Sequence, residues 1–109
     1  MATTLKLLGQ AVGTTTAAAM YTVAAGTTGV VKTLVIANTT ASDATARVFH
    51  DVGGSTYIVG NALAYDIPIP ANSTVVFEPF AVLAATDTLG IYASANTTLT
   101  FSAYGSEQT

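Results

Sequence analysis

The chain contains no cysteine and no tryptophan, only three prolines, and only nine charged residues among 109: Lys6, Lys32 and Arg47 against Asp43, Asp51, Asp66, Glu78, Asp87 and Glu107. Without cysteine there is no disulfide framework and no thiolate metal site, and the redox compartment stays open. The three basic residues lie far apart along the chain, so no phosphate-binding groove is expected and nucleic acid is excluded as a partner. No apolar run approaches the roughly 20 residues of a spanning helix. The best, Val30 to Ala37, is broken by Lys32, and no membrane partner is expected. The opening stretch from Met1 has one late lysine and is interrupted by Gly9 and Gln10, which gives neither region of a signal peptide.

Half of the residues are nevertheless hydrophobic, so the chain is expected to fold, as one domain with one core. A folded monomer of 11.0 kDa exposes roughly 5,600 Å², or about one charge per 600 Å², against about one per 200 Å² at ordinary composition. A surface so poor in charge is expected to be covered by a partner.

What is abundant is Thr and Ala, 20 of each. Together with Val and Ile, the Thr content suits pleated strands, because β-branched side chains lose rotamer freedom in helices. Alternation is clearest near the C-terminus, where Leu99, Phe101 and Ala103 oppose Thr98, Thr100, Ser102 and Tyr104. Leu89, Ile91 and Ala93 alternate just before, and the two segments read as a hairpin connected around Asn96. Further strands are expected at 5–12, 20–24, 30–38, 44–51, 56–59, 64–68, 73–78 and 81–84, separated by Gly-, Asn-, Ser- and Pro-rich turns. Helical readings of Thr14 to Met20 and of Ala81 to Ala85 are weaker than the strand reading. The expected fold is all-β: a two-sheet antiparallel β-sandwich, jelly-roll or immunoglobulin-like, of about eight short strands. Residues 1–19 are expected to form an N-terminal strand or arm with a hinge at Thr14 to Thr16, and residues 20–109 the sandwich. The first thirteen residues read either as an edge strand or as an arm pairing with a neighbouring subunit.

No constellation of catalytic type stands out. His50 and Asp51 are adjacent, and neighbours on a strand point to opposite faces. His50 is therefore expected as a polar residue on the solvent or interface side of a strand, and no catalytic residue, cofactor or metal is expected. The six carboxylates lack the spacing of a calcium loop, and Asp43 and Asp87 read as turn caps bonding amides two residues on. Three sequons, at Asn38, Asn72 and Asn96, are explained by turn chemistry, since Asn tolerates left-handed backbone. Tyr57, Tyr65, Tyr92 and Tyr104 suit a protein interface better than a sugar platform.

The segments Met20 to Gly26 and Val30 to Thr40, then Ile69 to Phe77, Phe80 to Leu89 and Leu99 to Glu107, resemble small all-β structural proteins of tailed bacteriophages. The resemblance covers most of the chain after residue 19 and consists of strand-and-turn patterns. It implies a capsid decoration (cement) protein that forms a homotrimer, contacts the major capsid protein and sits on the outer surface of the virion after synthesis in the host cytoplasm. A receptor- or glycan-binding domain of a tail fibre or baseplate is the alternative. Contacts are expected from Leu5, Leu7 and Leu8, with Tyr57 and Tyr65 as aromatic anchors.

Overall fold

Alternating apolar residues become buried rows in a computed structural model that describes residues 2–54 and 56–109. Nine strands are present among the described residues: β1 Thr3–Val12, β2 Ala18–Thr22, β3 Thr28–Asn38, β4 Ala44–Asp51, β5 Ala62–Ile69, β6 Thr74–Phe77, β7 Ala81–Leu83, β8 Thr88–Ala93 and β9 Leu99–Gln108. Among the described residues the one helical piece is a 3-10 turn, Val59–Asn61.

All strand pairs are antiparallel. One sheet runs β1-β9-β3-β6, with β7 also on β3, and the other runs β2-β8-β4-β5. The pairs β4·β5, β3·β6, β2·β8 and β1·β9 are nested about the β4–β5 connection. The chain is thus one long antiparallel ribbon folded over into two sheets, the jelly-roll arrangement. β6 and β7 share a single place beside β3, divided at Glu78, Pro79 and Phe80, where Phe80 takes φ +46.

The core lies between the sheets. Val31, Leu34 and Ile36 of β3 and Leu99, Phe101 and Ala103 of β9 meet Ala46 and Val48 of β4 and Leu89, Ile91 and Ala93 of β8, all buried. Each large side chain removed from water contributes about 1.5–3 kcal/mol. Close approach also constrains the backbone: a Cβ on Gly105 would overlap the Val30 carbonyl, beside the bulge between Val31 and Thr33.

Three sequence expectations are corrected. β8 and β9 are no hairpin: β8 pairs with β2 and β4 while β9 pairs with β1 and β3, so their connection crosses between sheets. Residues 56–59 form no strand; the stretch departs from the sheet and enters the 3-10 turn, held by Asn61, whose amide donates to the Thr56 carbonyl at 2.7 Å. His50 faces inward rather than outward, because its register partner is the fully buried Leu89. β1 is the outer strand of its sheet, laid along β9 of the same chain.

Candidate interaction surfaces

Register partners share a face of a sheet, so the pairing defines the outer side of the five-stranded sheet. Its rows are Leu5, Ser106, Val30 and Val82; Leu7, Tyr104 and Thr33; Gln10, Ser102, Val35 and Val76; and Val12, Thr100, Ala37 and Thr74. No charged residue occurs in these rows. Leu5, Leu7, Val12, Val76, Val82 and Tyr104 are all exposed, Leu5 at 83%. Gln10 donates to the Ser102 hydroxyl at 2.9 Å; exposed Lys32 lies within the β3 bulge, and exposed Glu78 directly follows β6 at the border of this face.

The outer side of the four-stranded sheet is built differently. Phe49 is buried there, apart from the main core, because the segment after β4 folds back over it. Tyr57 packs 5.5 Å from it between ring centroids, and Tyr65 meets it edge-on at 6.4 Å. Tyr57 lies directly over Gly90, where any side chain would collide with the ring, and its hydroxyl is 2.8 Å from that of Thr88. The Arg47 guanidinium sits 4.1 Å from the Tyr65 ring centre and 4.4 Å from that of Tyr92. It donates to Asp66 at 2.7 Å, which holds that carboxyl below its usual range.

Most of the remaining acidic groups fasten loops. Asp87, 4% exposed, accepts from the backbone amides of Gly53 at 3.1 Å and Ala84 at 3.0 Å and lies 2.9 Å from His50 Nε2. His50 foremost, then these amides, lower its pKa. Asp51 accepts from the Thr56 amide and the Asn61 side chain, and Asp43 accepts from the amide of Ala71. The two expected caps therefore act across the fold or backwards, not two residues on. Glu107 accepts from the Tyr21 hydroxyl at 2.6 Å and from Lys6 at 3.0 Å, tying the two sheets at one end. Both bonds lower the Glu107 pKa, Tyr21 first. Burial, then Glu107, drives the Tyr21 hydroxyl well above its ordinary value.

The expected contact residues divide between these surfaces. Leu5 and Leu7 stand on the free face, while Leu8, at the irregularity in β1, packs partly against the core. Tyr57 is committed to Phe49 and Thr88, whereas Tyr65 is 44% exposed beside Arg47. The reading by residue missed the Phe49–Arg47 cluster, whose members only register brings together. It also missed an apolar group of Val52, Ile58, Val59 and Leu63, exposed at the β4–β5 connection. Of the sequon asparagines, Asn38 is buried and donates to the carbonyls of Ser42 and Ile69. Asn72 has φ +55 in its turn, and exposed Asn96 accepts from the Thr15 amide. Among the described residues, no group of three or more His, Asp or Glu is placed to hold a metal ion.

No family model and no curated protein matches this sequence. Solved structures do match. A chain in a structure of infectious bursal disease virus, Gx strain, aligns over 97% of this chain with a TM-score of 0.54 and 15% identity. A chain from the Gt strain aligns over 96% with a TM-score of 0.47 and 14% identity. This chain spans about a third of the length of each, 31% and 32%. At 15% identity, the Gx-strain likeness is one of fold: the two-sheet β-sandwich built here by the nested ribbon recurs in a chain of a virus structure.

Proposed function

We propose that this chain is a virion structural protein, and specifically a bacteriophage capsid decoration protein: a jelly roll that assembles as a homotrimer on the outer surface of the head and clamps major capsid subunits. The observation that carries this reading is the broad outer face of the five-stranded sheet, free of charge in its register rows and studded with exposed apolar side chains. Such a face docks without stripping water from ions, which is the costly part of burying a polar surface. The molecule measures 45 × 26 Å across its broad side, room for the about 800 Å² that a standard interface takes from each partner. Repeated over a symmetric shell, modest contacts of this kind act together. The fold is one used by viral capsid domains, as well as by lectins and cupins, and the phage assignment rests on the sequence resemblance.

The role is mechanical, with no catalytic group, cofactor or metal and with neither nucleic acid nor membrane as partner. Asp43, Asp51 and Asp87 are engaged in fastening loops, which agrees with that reading. A tail-fibre or baseplate sugar-binding domain would need free tyrosine faces, and Arg47 already covers one face of Tyr65 and of Tyr92. Electron microscopy of assembled particles is the test. Density for this chain at regular lattice positions on the head is expected, and density confined to the tail would overturn the proposal.

A further inference from the structure

We infer that β1 is a docking edge for a second copy of this chain, paired antiparallel about a two-fold axis through Leu5. The pairing rests on the proposed self-association only in adding a two-fold contact distinct from the trimer's own, and it is tested on the isolated protein.

Every open sheet has edges whose free N–H and C=O groups can template another strand, and proteins protect them. Three of the four edge positions here are protected. β5 contains Pro68 and a left-handed Asp66 at φ +56. β2 has five residues interrupted by an irregularity at Met20. The place beside β3 is split into strands of four and three residues around Pro79 and the left-handed Phe80. β1 has ten residues, no proline and a single charge, Lys6, which Glu107 neutralises. Among the described residues, no strand lies on its outer side.

The hydrogen-bond phase of β1 identifies the free groups. Ala2 and Thr109 exchange both backbone bonds. In an antiparallel ladder bonded pairs alternate, so Thr4 and Lys6 also bond to β9, and Thr3, Leu5 and Leu7 direct their N–H and C=O groups outward. This row ends at the irregularity between Leu7 and Gly9. An antiparallel second copy in the register Leu5 to Leu5 places Thr3 opposite Leu7 of that copy and Leu7 opposite its Thr3. Each pair exchanges two bonds, which uses the whole row. Lys6 then faces Thr4 of the second copy, so no like charges stand opposite each other. Leu5, 83% exposed in the single chain, meets its symmetry mate, and the two five-stranded sheets become continuous.

The register gives a charge-swap test. Leu5→Lys and Leu5→Glu each place like charges directly across the axis, and neither side chain supports the core, so both variants fold. Mass by light scattering over a concentration series is expected to give an even number of copies for the wild type. A homotrimer held by another surface would pair into a hexamer, so the number is even in either case. Each variant alone is expected to halve that mass, and an equimolar mixture of the two to restore it. Amide exchange supplies a second readout: Leu5 and Leu7 are protected only in the paired state, while Thr4 and Lys6 are protected in both. A wild type that stays monomeric or purely trimeric, single variants that still pair, or a mixture that does not re-associate would overturn the inference. Capsid binding measured separately distinguishes its failure from failure of the decoration role.

Discussion

Charge is scarce in this protein and most of it is spent on fastening. Asp87 is the clearest case, holding Gly53, Ala84 and His50 from a nearly fully buried position. Leaving buried donors without an acceptor costs about 1–3 kcal/mol each. Asp87→Ala is therefore expected to lower stability by about 3 kcal/mol, read as a shift of the denaturant midpoint with little change in slope. The depressed pKa values of Asp87 and Glu107 set the pH dependence. A carboxyl whose folded value lies below its unfolded value of about 4 contributes stability that is present above that value and lost as pH falls through the folded one. The thermal midpoint should hold down to about pH 4 and fall below it, and the fall should be shallower in Asp87→Asn. Asp66 is solvent-exposed and contributes little to this limb. The sequence marked Asp43 and Asp87 as turn residues but not their partners, since Asp43 reaches Ala71 and Asp87 reaches Gly53 across long stretches of chain.

Strands defined by their own alternation were legible: β4 has the expected bounds, Ala44–Asp51, and β3 extends the expected 30–38 by one turn of the pleat to Thr28. The segment at 56–59 was not, because Tyr57, Ile58 and Val59 have strand-forming side chains whose destination is set elsewhere. Tyr57 leaves the sheet to cover Phe49 over the bare backbone of Gly90. Gly90→Ala puts a methyl group where the Tyr57 ring lies. The expected result is a loss of about 1–3 kcal/mol, as for other overpacked sites. Faster amide exchange over residues 52–61 should accompany it, with the β3 and β9 amides unchanged; unchanged exchange in that loop would mean that Tyr57 does not hold it. The β8–β9 hairpin failed for a related reason. Two alternating strands joined by a short connection can pair with each other or cross between sheets, and nothing in either strand distinguishes the two.

Across the whole molecule the low charge has become directional. The accessible surface is 5379 Å², and the face of the five-stranded sheet carries none of the charge in its rows, whereas the opposite face keeps Arg47 and Asp66 within its aromatic cluster. The double substitution Val76→Lys and Val82→Lys, at positions more than half exposed, should therefore change folding stability by no more than about 0.5 kcal/mol at each site. The same double variant should lose co-sedimentation with capsids; retained binding would place the capsid contact on another face. The sequence by itself determined the fold class: an all-β chain from its Thr, Val and Ile content, and strands from the period of its side chains. These follow from counts and local spacing. Only the tertiary structure decided that β9 lies between β1 and β3, that His50 turns inward to Asp87, and that the register rows of one face hold no charge while the other face is capped by tyrosines. Backbone ladders are chemically alike, so the choice among possible strand partners is made when the whole ribbon closes over its core, at sequence separations that local pattern does not reach.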